Sequence, residues 1–229
     1  MDFNKFKYKT KLWIRLIIYL IKYPRQIKYL KKWIYYYYIS FKSNPIEYGV
    51  PWLNFQTIEF LKHYLKNYMS VFEWGSGGST LFVSRRVKNV ISIEYDPEFY
   101  SFVKKKLQEK AIQNVELINV QSQNRGEITS HHKNFRHQYF DDYVHSILAY
   151  PDYSFDVIII DGRARNECLE NALNKLKNQG VIVFDNIDRA EYGQYSNLLY
   201  EENWELIILK GIVPFSLYQS EALIAKKKH

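Results

Sequence analysis

The sequence predicts an α/β protein: a doubly wound, mostly parallel seven-stranded sheet with an antiparallel C-terminal strand, plus a helical N-terminal arm. Three observations carry that prediction. Residues Val71-Phe72-Glu73-Trp74-Gly75-Ser76-Gly77-Gly78-Ser79-Thr80 read as an apolar strand that enters a glycine-rich turn and opens a helix. Beyond this turn, strand and helix signals alternate. Two short runs, Val157-Ile158-Ile159-Ile160 and Val181-Ile182-Val183, are apolar at every position, which suits central strands buried on both faces.

In chain order, residues 1–46 form a basic, aromatic-rich arm. They hold eleven Lys and Arg and a single acid, Asp2, for a net +10. The other 183 residues, 47–229, hold 21 bases and 23 acids, so the excess positive charge of the chain sits in the arm. Pro24 divides the arm into helices over 10–23 and 26–40, and Ser43-Asn44-Pro45 reads as a linker. An amphipathic helix over 55–68 places Ile58, Leu61 and Leu65 on one side. Strands follow at 69–72, 90–93, 115–119, 155–160 and 181–184, and helices at 79–86, 97–110, 140–149 and 166–178. The tail supplies two more strands, 204–209 and 218–225, joined by a Gly/Pro-containing loop.

At 229 residues, 47% of them hydrophobic, the chain can bury a full core. Its single cysteine, Cys168, excludes an internal disulfide and a cysteine metal cluster, and reads as packing in a helix. No signal peptide is visible, and a cytoplasmic location is expected. The uncharged run 16–21 lies between Arg15 and Lys22, far short of the ~20 residues a spanning helix needs. Basic residues interleaved with Trp13, Trp33 and many tyrosines suit an anionic membrane surface, which would make the protein peripheral at the inner face. They also suit nucleic-acid phosphates, or plain packing on the domain. The run Tyr35 to Tyr38 covers all sides of a helix and implies burial against something.

The glycine turn is a ligand signal. Glu94 ends the second strand, 21 positions past Glu73, where a carboxylate can take both hydroxyls of a ribose. The dinucleotide fingerprint G-x-G-x-x-G would need glycine at position 80, which is Thr80. Glu73 would also repel a pyrophosphate, but it would attract a cation. S-adenosylmethionine (SAM), with its ammonium and sulfonium, fits that requirement.

Further motifs agree. Ile93-Glu94-Tyr95-Asp96-Pro97, the segment 117–123, Ile160-Asp161-Gly162 and Phe184-Asp185-Asn186 together resemble the motifs of class I SAM-dependent methyltransferases. Within that class the chain is most similar to the small catechol-type O-methyltransferases, over about residues 69–184. The resemblance implies a Rossmann-like fold in which Glu73, Gly75, Ser76 and Gly77 frame the methionine end of SAM. Glu94 would hold the ribose, Ser122 and Gln123 would border the adenine, and Tyr95 and Asp161 would also belong to the cofactor site. It also implies that Asp161, Asp185 and Asn186 bind Mg2+. Two carboxylates and an amide at adjacent strand ends are hard oxygen ligands suited to that ion. Otherwise, they bind the acceptor directly, or serve as a helix cap and an Asx turn. The family's lysine base falls on Ala164, between Arg163 and Arg165.

Asp161 and Arg163 are thus candidate catalytic residues, with an anionic or sugar substrate in view. The segment 123–142 carries His131, His132 and His137 without zinc spacing, and His132 is the candidate base from this lid-like insertion. Pro51-Trp52-Leu53-Asn54-Phe55 either roofs the cleft or packs the first helix. The expected reaction is O-methylation of a sugar or another small polar metabolite. The alternatives are a membrane-attached SAM-binding module without catalysis and a nucleic-acid methyltransferase. Against the last, the fourth strand ends in Asp161-Gly162-Arg163 rather than an Asn/Asp-Pro-Pro-Tyr motif.

Overall fold

The computed structural model describes residues 3–41, 44–130, 135, 137–192, 199 and 204–227, with side chains from Thr10 onward. Helix α1 (Phe3–Lys22), a 3-10 helix (Pro24–Tyr29) and α2 (Leu30–Ile39) make up the arm. A second 3-10 helix (Pro45–Tyr48) and α3 (Phe55–Tyr64) lead into the sheet. Strands β1 (Ser70–Trp74), β2 (Asn89–Glu94) and β3 (Val115–Asn119) alternate with α4 (Gly78–Ser84) and α5 (Pro97–Glu109). Then come α6 (Asp141–His145), β4 (Phe155–Ile160), α7 (Arg165–Ala172) and β5 (Leu176–Asp185). The hairpin β6 (Trp204–Ile212) and β7 (Gln219–Lys227) closes the sheet.

The strand order is β3-β2-β1-β4-β5-β7-β6, with β7 alone antiparallel to its neighbours, as the sequence predicts. The order reverses between β1 and β4. In open sheets of this kind the crevice at the carboxyl ends of those strands is where ligands bind.

Alternation along the central strands builds two cores. Phe72, Trp74, Ile158, Ile160, Ile182 and Phe184 point to one side, where they pack with Tyr143 and Leu169. Val71, Val157, Ile159, Val181 and Val183 point to the other, against Leu61 and Val83. Both faces of β1, β4 and β5 are therefore covered, which is why their sequences lack polar alternation. Capping fixes the helix starts. Asp96 accepts from the backbone N–H of Glu98 and Phe99, with Pro97 at the first position of α5. Asn54 caps α3 by accepting from Thr57 N–H, and its amide donates to the carbonyls of Leu209 and Ser220. One buried side chain thus ties α3 to the hairpin.

Several boundaries differ from the sequence expectation. The helix expected over 166–178 ends at Ala172, and Leu176 already pairs with Phe155 in β5. Burial of Leu176 beside Phe155 overrides the helical pattern, and the extra residues are absorbed by a register shift with Gln179 at φ 68°. The helix expected over 55–68 stops at Tyr64, because Leu65 turns extended and enters the core with Met69. The helix expected over 140–149 splits into α6 and a 3-10 turn, Ser146–Ala149. Within the arm, the stretch after Pro24 opens as a 3-10 turn before α2 begins.

The arm packs through its own cluster. Leu12, Leu16, Tyr19, Tyr29 and Trp33 meet Phe55, Ile212 and Leu217. The Trp33 indole N–H donates to the Ser216 carbonyl at 2.7 Å, and the Gln26 amide donates to the Lys210 carbonyl at 3.1 Å.

Candidate active site

A cleft of about 830 Å³ lies over the carboxyl ends of β1, β2, β4 and β5. Its floor is the glycine turn. Gly75 has φ +93°, and a Cβ there would sit 2.9 Å from backbone atoms of Asp161 and Gly162, so the ends of β1 and β4 touch directly. A Cβ on Gly78 would lie 2.1 Å from the Val50 carbonyl oxygen, so only glycine lets the 49–52 segment cover the start of α4. A Cβ on Gly77 would meet only the Phe99 ring, at 3.9 Å. That side of the turn is open to a ligand.

The residue that broke the dinucleotide fingerprint has a structural task. Thr80 is fully buried; its hydroxyl donates to Glu73 Oε2 at 2.6 Å and accepts from Gly77 N–H at 2.9 Å. Ser92 donates to the same carboxylate oxygen at 2.8 Å. Glu73 is therefore sealed beneath the turn rather than on the cleft wall, and its Oε1 has no hydrogen-bond partner among the described residues. Burial pushes its pKa up to about 7, against hydrogen bonds from hydroxyls that pull it down.

The sign of the pH effect follows. Between the ordinary carboxylate value and pH 7 the folded protein holds a proton that the unfolded chain has lost. This contribution to stability is full at low pH and falls as pH rises through that window, by up to about 3 kcal/mol. Glu73→Gln is expected to flatten this slope and raise the melting temperature at pH 8 more than at pH 5. Thermal denaturation at both pH values checks it, and equal shifts would refute the assignment.

Glu94 reaches the cleft. Its Oε2 accepts from Ser76 N–H and Oγ–H at 3.2 and 2.9 Å, and its Oε1 accepts from Asp96 N–H at 2.9 Å. Burial raises its pKa. Ser76 and Tyr95 line the cleft with it. Ser122 and Gln123 are not brought to this wall. Ser122 Oγ–H donates to Gln138, the Gln123 amide donates to Asp142, and the backbones of Gln123 and Tyr139 bond each other.

The acidic group at the ends of β4 and β5 is built around a cation of the chain itself. Arg165 is buried. Its Nε–H donates to the Gly162 carbonyl at 3.0 Å and Nη1–H to the Asp185 carbonyl at 2.7 Å. Nη2–H donates to the Asp161 carbonyl at 3.1 Å and to Asp161 Oδ1 at 2.9 Å. Asp185 Oδ2 lies 3.7 Å from Nη1. Burial raises the pKa of both aspartates, Asp185 the more strongly because Asp161 adds like-charge repulsion.

This donor set does not fit the expected Mg2+ site. A guanidinium already neutralises the carboxylates, Asp185 is 2% exposed, and Asn186 sits at φ 61° just past the strand end. No cluster of three acidic, His or Cys side chains suited to a metal occurs among the described residues. The planar fork of arginine bonds both strand ends at once, a geometry a hydrated divalent ion does not need.

Arg163 lines the cleft beside Asp161. Its guanidinium carbon lies 4.3 Å from the Phe135 ring centroid, and Nη2–H donates to the Tyr95 hydroxyl at 3.0 Å. His132, like His131, lies outside the described residues. Two cleft walls were missed by sequence reasoning. One is the segment joining β6 and β7 with the start of β7: Val213, Ser216, Tyr218, Gln219 and Ser220; the other is Asp188 with Arg189 after β5. The Gly/Pro loop between two apolar tail strands was the available signal. Trp52 stands at the opposite rim, exposed yet lining the cleft.

The family described as Methyltransferase domain matches residues 72–187, about half of the chain. No curated protein matches the sequence. Among solved structures, the O-methyltransferase from Bacillus cereus in complex with SAH aligns with TM-score 0.60 and 16% identity. That match covers 86% of this chain and 99% of the other. The rRNA methylase from Streptococcus thermophilus aligns at TM-score 0.54 and 14% identity, over 76% of this chain and 95% of that one. The precorrin-6y C5,15-methyltransferase from Geobacter metallireducens gives TM-score 0.54 and 15% identity, with 75% and 87% covered. At these identities the likeness concerns the fold alone.

Proposed function

This chain belongs to the methyltransferase-domain family and is a SAM-dependent methyltransferase, and on that premise we propose that it O-methylates a hydroxyl of a sugar or another small polar acceptor without a metal. The open glycine cradle and the Glu94 carboxylate on the cleft fit a ligand that carries a ribose. When bound, SAM supplies a methyl group on a positively charged sulfur and departs as a neutral thioether.

One observation carries the acceptor assignment. Asp161, about 20% exposed, stands on the cleft floor beside the glycine turn with its pKa raised and Arg165 behind it. A carboxylate so held accepts the proton of an acceptor hydroxyl as that oxygen forms its bond to the methyl carbon. Arg165 keeps Asp161 from capturing a proton permanently, and the raised pKa keeps it basic. Arg163, Asp188, Arg189 and Gln219 supply polar contacts for a hydroxylated or anionic acceptor on the same side.

The test is transfer of labelled methyl from SAM to a panel of sugars, sugar phosphates, small hydroxylated metabolites and RNA. Transfer to a hydroxylated small molecule that persists in EDTA is expected. Asp161→Asn should cut kcat at least 100-fold while leaving affinity for S-adenosylhomocysteine within about threefold. Transfer to RNA alone, or a strict need for added Mg2+, would overturn the reading.

A further inference from the structure

The outer face of α1 is unlike an ordinary solvated helix face. Leu12, Leu16 and Tyr19 turn inward and are buried, while Ile14, Ile17, Ile18 and Ile21 stand outward, 52%, 54%, 59% and 76% exposed. The i, i+3, i+4, i+7 spacing puts these four in one stripe. Exposed Lys11, Arg15 and Lys22 share the helix with it, and Trp13 is 40% exposed. The arm as a whole carries a net +10 against −2 for the rest of the chain. Among the described residues, no helix is long and apolar enough to cross a membrane.

We propose that α1 is an interfacial membrane helix, laying its isoleucine stripe among the acyl chains of an anionic bilayer while its lysines and arginines meet the headgroups. The chemistry selects this partner over others. Aliphatic side chains neither pair with phosphates nor stack on bases, so nucleic acid would leave the stripe wet. A second copy would bring two strongly basic arms together at a like-charge cost. Anionic lipid takes both features at once. The opposite side of the arm is bonded to the cleft wall through Trp33 and Ser216, so attachment would hold the cleft close to the lipid surface. An acceptor carried on a lipid headgroup would then lie within reach.

Sedimentation of the full chain with vesicles tests this independently of catalysis. Binding to phosphatidylglycerol-containing vesicles should be at least tenfold tighter than to phosphatidylcholine vesicles. The variant I14S/I17S/I18S/I21S should lose at least tenfold on the anionic vesicles, with melting temperature and affinity for S-adenosylhomocysteine unchanged. Unaltered vesicle binding by the variant would overturn the proposal. So would a lipid-free dimer that the variant dissolves, or tighter binding to an RNA oligonucleotide than to anionic vesicles.

Discussion

Replacing Arg165 by methionine is expected to lower stability by about 3–5 kcal/mol at neutral pH, more than any other single side-chain truncation in the cleft floor. The guanidinium satisfies three carbonyls and one carboxylate and stands beside a second. Without it Asp161 and Asp185 face each other in a buried setting with only the more distant Arg163 and Arg189 to offset them. Both have raised pKa values even in its presence, so they can escape the penalty by taking protons at low pH. The loss in Arg165→Met should therefore shrink as pH falls toward 5 and grow as pH rises. Arg165→Lys keeps the charge but cannot bond both strand ends, and should recover only part of the stability. Adding Asp185→Asn to Arg165→Met should recover part by removing one of the two charges. Urea denaturation at pH 5 and pH 8 measures all four proteins. A loss below about 1 kcal/mol at pH 8 would show that the carboxyls are neutral and the arginine is dispensable.

The second large effect is expected at Glu94. On the proposal that Glu94 takes the two ribose hydroxyls, Glu94→Ala should weaken binding of S-adenosylhomocysteine about 100-fold, as lost charged hydrogen bonds would. The same carboxylate also holds Ser76 and Asp96, so part of the loss could come through the turn. Ser76→Ala separates the two causes, because it frees one contact of the turn and keeps the carboxylate; its loss should stay under about tenfold. Titration calorimetry gives both affinities, and ligand-free melting curves give the stability of each variant. Affinity of Glu94→Ala within threefold of the parent would confine Glu94 to shaping the turn.

The sequence was most legible where local chemistry and long-range packing agree. The apolar runs of β4 and β5 declare their own burial, and Pro97 after Asp96 marks the start of α5 on local grounds. The two carboxylates at the strand ends were visible for the same reason: strand periodicity fixes where a strand stops. The neutralising partner was not visible. Arg165 is the fifth residue after Ile160, and it turns inward because the chain passes through Ala164 at φ 46°, a conformation that alanine does not announce. Ser122 and Gln123 were placed by the family resemblance of the segment after β3, but the loop there is pinned to the 138–142 segment, 16 and 19 residues downstream. The β6–β7 wall escaped because its cleft residues come from a connection whose path depends on the arm. Leu176 shows the converse case, where a helical pattern lost to one buried contact.

The arm is made before the hairpin on which much of it packs. Trp33 bonds a residue 183 positions later, and Gln26 one 184 positions later. Leu12, Leu16 and Tyr19 pack on Ile212 and Leu217, near the other end of the fold. A chain growing from the ribosome would thus carry a basic, tyrosine-rich segment through most of its synthesis with only α3 to cover it in part. The α/β layers can assemble from neighbouring segments during that time, whereas the β6–β7 wall of the cleft must wait for the hairpin and the arm to meet. The last event of folding would then be the one that closes this side of the cleft.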